Sequence, residues 1–226
     1  PAYPRYDFSG FSGETEMKKA LAFSLLFASG VAAAQQSGFY VGAGVGQGKV
    51  SIDNGASDAL VNAGATNVSS SKDNTDTSYK IFAGYQINKN FEVEGGYANF
   101  GKYKASASGT IAGGPISASG DVKSYAIFLD AVGIAPVTEA FSVFGKAGVA
   151  FTDTEANASA SGAGVAASAS DSARKWVPKL GVGAQFYVSR NVALRAEYEY
   201  YFKVGDQNST GQSDVQVLTA GVTIGF

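Results

Sequence analysis

The sequence predicts an all-β chain, an eight-stranded antiparallel up-and-down transmembrane β-barrel. Three observations predict it. Eight segments, each of roughly 9–11 residues as a membrane-spanning strand requires, alternate in character with a two-residue period. One face of each segment is apolar and uncharged, while the other carries glycine and ionisable groups. The connections alternate between tight turns and long links, as in barrels that cross an outer membrane. A soluble sandwich would bury the apolar face and dress the other with Lys, Glu and Thr. The glycine-rich face is too small in volume for that and suits a narrow lumen filled by side chains.

Each segment divides by parity. The first sets Phe39, Val41, Ala43 and Val45 against Gly42, Gly44 and Gly46. The second sets Tyr79, Ile81, Ala83, Tyr85 and Ile87 against Lys80, Phe82, Gly84 and Gln86. The third sets Phe91, Val93, Gly95 and Tyr97 against Glu92, Glu94 and Gly96. The fourth sets Tyr125, Ile127, Leu129 and Ala131 against Ser124, Phe128 and Asp130. The fifth sets Phe141, Val143, Ala147, Val149 and Phe151 against Ser142, Lys146 and Gly148. The sixth sets Trp176, Leu180, Val182, Ala184, Phe186 and Val188 against Lys179, Gly181, Gly183 and Gln185. The seventh sets Val192, Leu194, Ala196, Tyr198 and Tyr200 against Arg195, Glu197 and Glu199. The eighth sets Leu218, Ala220, Val222, Ile224 and Phe226 against Val217, Thr219, Gly221 and Gly225.

Residues 88–90, 136–140 and 189–191 are the tight turns; 51–77, 104–120, 153–174 and 205–213 are the long links. Phe39, Phe91, Phe141, Phe186 and Phe226 lie near the turns, and Tyr79, Tyr97, Tyr125, Phe151, Trp176 and Tyr200 near the links, forming two interfacial girdles. Links 104–120 and 153–174 are Ala/Ser/Gly-rich and read as partly extended hairpins. A helical turn is expected at 56–61.

The single methionine, Met17, opens a leader: Lys18 and Lys19, an apolar run from Ala20 to Val31, and an A-x-A site with Ala32 and Ala34 at its small positions. The layout is therefore upstream or fragment residues 1–16, a signal peptide 17–34 and a barrel domain 35–226. No later apolar run has helical length, so a membrane location demands a closed barrel.

The chain resembles the OmpA-like family of small eight-stranded outer-membrane barrels. The stretches that carry the resemblance are GFYVGAGVG at 38–46, IFAGYQINKNFEVEGGYANFG at 81–101, APVTEAFSVFGKAGVAF at 135–151 and KWVPKLGVGAQFYVSRNVALRAEYEY at 175–200. The end, with Thr219, Gly221, Ile224 and Phe226, looks like the signal read by the barrel assembly machinery, an edge strand fit for strand addition. With Phe226 last, no periplasmic domain is expected. The resemblance implies an outer-membrane location, with lipid and lipopolysaccharide around the wall and loops that meet host or phage ligands. It also implies an interior salt-bridge cluster that blocks or gates the lumen. By motif position Glu94 and Arg195 would be its central pair, with Lys146 nearby. Glu94, Asp130, Gln185 and Arg195 also lie at similar distances from a tight turn, hence at similar depth; Glu92 and Glu197 share the inward face. Gln185 stands where the family has an acid and Gly44 where it has a lysine, so a thinner cluster is expected.

Composition narrows the function. The 226 residues include no Cys and no His, which removes disulfides, thiolate zinc sites and imidazole or cysteine catalysis. A net charge of −2 offers nothing to nucleic acid. GAGVGQGKV at 42–50 is not a phosphate loop, because Ala43 and Val50 occupy the required Gly and Ser/Thr positions. Asp53, Asp58, Asp73 and Asp76 read as solvated link residues rather than a metal site. The expectation is a non-enzymatic barrel without cofactor, with a structural and surface-interaction role and a lumen filled by ions. The alternative is a narrow gated pore for small solutes. Its five inward acids (Glu92, Glu94, Asp130, Glu197, Glu199) against four bases (Lys80, Lys146, Lys179, Arg195) would favour cations slightly.

Overall fold

The computed structural model describes residues 38–50, 55–112, 114–162 and 164–226. The leader, with Ala32 and Ala34, and link residues 51–54 lie outside the described residues. Nine strands and one helix follow in order: β1 Phe39–Val50, α1 Gly55–Asn62, β2 Thr66–Asp73, β3 Thr75–Asn88, β4 Phe91–Ile111, β5 Gly114–Pro136, β6 Phe141–Gly162, β7 Val165–Tyr187, β8 Val192–Asp206 and β9 Gly211–Gly225. All nine belong to one antiparallel sheet. Eight of them close a ring, β1-β3-β4-β5-β6-β7-β8-β9 and back to β1. No helix among the described residues is long and apolar enough to cross a membrane.

The alternation inverts the pattern of a soluble protein. Ile81, Ile127 and Leu218 are 58–60% exposed on the outside, while Lys80, Glu94, Asp130 and Lys179 are at most 2% exposed within. Only a lipid environment makes that distribution favourable, because each outward apolar side chain then meets hydrocarbon. The inward glycines make room for large neighbours. A Cβ at Gly42 would strike the Phe82 ring, at Gly96 the Ile81 carbonyl and the Phe128 ring, at Gly84 the Tyr40 ring, and at Gly183 the Phe144 ring. Phe82, Tyr40, Phe128 and Phe144 thus each lie over a glycine on another strand.

Links 104–120 and 153–174 are the expected hairpins, extended further than foreseen: β4 and β5 run on to Ile111 and Gly114, and β6 and β7 to Gly162 and Val165. The other two links differ from the expectation. Link 205–213 shrinks to a short turn between Asp206 and Gly211. Link 51–77 holds α1, at the place of the expected helical turn, and β2, which was not expected. β2 pairs with the far half of β4, on the edge that β3 occupies nearer the membrane. Leu60 of α1 packs into a small core with Ala65, Ala107 and Ile116.

Two bulges lie just beyond the outer girdle. In β4 the register shifts between Asn99 and Lys102 around Gly101, whose φ is +92°. In β8 it shifts between Tyr201 and Val204 around Lys203, whose φ is +52°. A carboxylate holds each: the Lys102 amide donates to Asp76 at 2.6 Å and the Lys203 amide to Asp214 at 2.8 Å.

Gly42→Val should cost about 1–3 kcal/mol by overpacking against Phe82. Gly133→Val on the lipid face, where a Cβ meets nothing within 4 Å, should cost less than about 0.5 kcal/mol. Denaturant titration followed through Trp176, the single tryptophan and 66% exposed on the wall, reads both. Equal losses would show that the inward glycines do not set the packing.

Candidate functional site: an ion chain across the lumen

Six strands of the ring send ionised side chains to one region of the interior. β4 brings Glu94, β6 Lys146, β8 Arg195, Glu197 and Glu199, β3 Lys80, β7 Lys179 and β5 Asp130. They form an alternating chain. Arg195 Nη1 lies 2.7 Å from Glu94 Oε1, and Lys146 Nζ 2.5 Å from Glu94 Oε2. Lys146 reaches Glu197 at 2.7 Å, and Lys80 joins Glu197 at 2.5 Å to Glu199 at 3.1 Å. Lys179 then links Glu199 at 2.9 Å to Asp130 at 2.8 Å. Arg195 Nε also contacts Glu197 at 2.8 Å. Four cations and four anions balance, and every one is at most 4% exposed.

Aromatic rings are packed among the ions. Lys179 Nζ lies 3.9 Å from the Phe128 ring centre, and the Arg195 guanidinium 4.1 Å from that of Phe144. Lys80 sits 5.0 Å from the Phe82 ring centre. These contacts partly replace the hydration that each cation lost. Beyond them, Phe100 and Tyr201 pack edge to face at 4.6 Å, both 0% exposed. Such a cluster is held by mutual pairing: removing one partner strands a buried charge, whereas removing a whole pair does not.

The residues singled out from sequence separate into groups. Glu94, Arg195, Lys146, Asp130 and Glu197 meet in the chain. Glu92 and Gln185 are inward and buried but stand apart from it. Tyr40 Oη lies 2.8 Å from Glu92 and 2.7 Å from Glu94, and Gln185 Nε2 donates to Tyr187 Oη at 2.8 Å. Lys80, Lys179 and Glu199 complete the chain; parity marked them inward, but their spacing gave no depth because neighbouring strands are staggered. Tyr40 shares the inward parity of Gly42. Lys80, Lys179 and Glu199 fill the lumen without a lysine at Gly44 or an acid at Gln185. On β9, Thr219 is buried and inward, Gly221 faces the Gly44 backbone, and Ile224 points outward between Val41 and Val192. Phe226 follows the end of that strand.

The family model described as the OmpA-like transmembrane domain matches residues 34–226. The chain belongs to that family. It is 30% identical over 209 residues to outer membrane protein P5 of Haemophilus influenzae, covering 84% of this chain and 53% of that protein. P5 of a second H. influenzae strain matches at 30% over 201 residues, and the chain spans about half the length of these curated relatives. In fold it is similar to the crystal structure of Neisserial surface protein A, with a TM-score of 0.50, 22% identity, and coverage of 84% of this chain and 98% of that one. The molecule is thus an OmpA-like barrel of the outer membrane.

Arg195→Ala should destabilise this OmpA-like barrel by about 3–5 kcal/mol, by leaving Glu94 and Glu197 short of a cation. Arg195→Met combined with Glu94→Gln removes the terminal pair and should cost less than Arg195→Ala alone. A double variant as costly as the sum of its parts would contradict the chain.

The bulge carboxylates give a pH dependence. The Lys102 and Thr77 amides hold the Asp76 carboxyl below the ordinary range; the Tyr200 hydroxyl and the Lys203 amide do the same for Asp214. A carboxyl with a lowered folded-state pKa stabilises fully above its unfolded value of ~4, and that contribution fades as pH falls through the folded one. Protection of the Lys102 and Lys203 amides should therefore drop below about pH 4. Asp214→Asn should abolish the acid dependence at Lys203 alone.

Proposed function

We propose that this protein is a sealed, non-catalytic barrel of the outer membrane whose role is structural and surface-interacting. The unbroken alternating chain of eight buried ions carries the reading. A conducting lumen needs mobile water along its length, yet here paired side chains and aromatic rings occupy the cross-section. The ions bind six strands to one another across the interior and so hold their register. Lipid and lipopolysaccharide surround the wall, and the barrel assembly machinery inserts it through the β9 end. The tall extracellular strands then meet other molecules, which in a host or phage setting are the contacts expected of exposed loops. The lack of His and Cys in the sequence supports a role without catalysis.

One observation favours the narrow-pore reading instead. Among the described residues, Asp130 Oδ1, Ser78 Oγ and Tyr201 Oη are buried without a hydrogen-bond partner, and water could serve them. Planar-bilayer recording of the refolded barrel separates the two. The sealed reading expects a silent parent; stable single-channel steps that Arg195→Ala changes would replace it with a gated, weakly cation-preferring pore.

A further inference from the structure

The barrel mouth is uneven, and the unevenness leaves a strand edge open. β7 pairs with β6 along its whole length, from Phe186 opposite Phe141 to Val165 opposite Gly162. On its other side it pairs with β8 only from Tyr187 back to Lys179. Residues 165–178 have no strand partner on that edge among the described residues.

Two local features end the ladder. Main-chain groups of alternate residues point to opposite sides of a strand. The Tyr187 amide donates to the Ala140 carbonyl on the β6 side, and the β6–β7 register has no bulge. Odd-numbered residues of β7 therefore bond to β6, and even-numbered ones face the other edge. Pro178 is even-numbered, so its missing N–H falls where the next bond to β8 would form. In β8 the bulge at Lys203 turns the strand inward, and Val204 is buried. Beyond Pro178, the N–H and C=O groups of Ala166, Ser168, Ser170, Arg174 and Trp176 face no neighbouring strand, and the Ser172 N–H donates only to the Asp171 carboxylate beside it, at 2.8 Å.

A cavity of about 750 Å³ fills the barrel mouth and reaches this edge: its lining runs from Tyr103 of β4 and Val122 of β5 through Ala158 of β6 to Ala167, Ala169 and Asp171 of β7. Natural edges are blunted by bulges, prolines or lysines. β2 has a bulge and is short, whereas β7 shows neither bulge nor proline between Val165 and Val177, and its basic residues, Arg174 and Lys175, stand only at the end nearest the membrane.

We infer that the β7 edge accepts an extended segment of a second polypeptide as an added strand. The open main chain calls for a main-chain partner, and the cavity receives that partner's alternate side chains, which is how strand addition combines affinity with selectivity. The inward methyls of Ala167 and Ala169 fit small or apolar side chains, and Asp171 fits a basic one beside them. The inference rests on the surface-contact half of the proposed function. It fails separately from the sealed lumen, because bilayer current does not report on this edge.

The probe is a synthetic peptide of alternating Thr and Ala with one central Lys in place of Ala, added to the full barrel in lipid nanodiscs. Hydrogen exchange at Ser168, Ser170 and Arg174 should slow about tenfold or more on saturation, with odd-numbered amides unchanged. Ser170→Pro removes one edge donor and should weaken binding about five- to tenfold, while Ser170→Ala should not. A heat-dependent gel shift equal to that of the parent verifies that Ser170→Pro folds. Asp171→Lys should weaken binding of the Lys peptide and leave that of an all-Thr/Ala peptide unchanged. Protection without the even-odd pattern, or none at saturation, overturns the inference. So does prior protection of the even amides in the free protein: with a dimer by sedimentation it assigns the edge to a second copy, and in a monomer to the chain itself.

Discussion

Everything in this molecule follows from closing eight strands around a space that only side chains can fill. Lipid outside requires every wall residue to be apolar, so all ionisable groups within the membrane band must turn inward. Once inside they have no bulk water, and each must find an opposite charge. The alternating order from Arg195 to Asp130 is the solution that leaves no ion with a like neighbour as its main contact. The same narrowness dictates the glycines: Phe82, Phe144 and Tyr40 fit only because Gly42, Gly183 and Gly84 present no side chain beneath them.

This coupling of lumen and wall explains what could be read from sequence. Parity along strands such as Val192–Tyr200 reports inside against outside with high contrast, because Leu194 and Arg195 differ so much in transfer energy. The ring of eight, the turns and the girdles were legible for that reason. Depth was not. The partner of Lys80 is Glu197, 117 residues away, and no spacing within β3 or β8 reveals that they meet. Residue positions relative to a turn placed Glu94 level with Asp130 and Gln185 level with Arg195, and each pair is directly opposite in register. They did not reveal which of these side chains join the ions: Gln185 bonds to Tyr187 instead.

The extracellular hairpins were legible as such, but their full length and register were not, for a different reason. Between Lys104 and Gly120, and between Asp153 and Arg174, inward Ala and outward Ser still alternate, but they differ too little in hydrophobicity for the period to show. Weak contrast also specifies register weakly, since a one-residue slip would exchange Ala for Ser at little cost. Polar rungs supply the register instead. Ser71, Ser106, Ser119, Ser159 and Ser168 stand directly opposite one another across five strands, and Ser119 and Ser159 share a hydrogen bond at 2.9 Å. One rung nearer the membrane, Asp121 lies opposite Lys104 and accepts from Asn157 at 3.3 Å, while Lys102 meets it at 3.2 Å.

The height difference around the mouth is then a consequence of how each strand leaves the membrane. β4 to β7 keep pairing because nothing in their Ala/Ser stretches removes a donor from the ladders that join them. β8 departs at Lys203, where Asp214 and the left-handed residue together turn it inward. Pro178 leaves β7 unable to follow. Membrane insertion does not select for this asymmetry, since both features lie beyond or at the limit of the aromatic girdle. A barrel needs only to close within the hydrocarbon. What stands above it is free to end as an open sheet, and an open sheet in water must bond to solvent or to another chain.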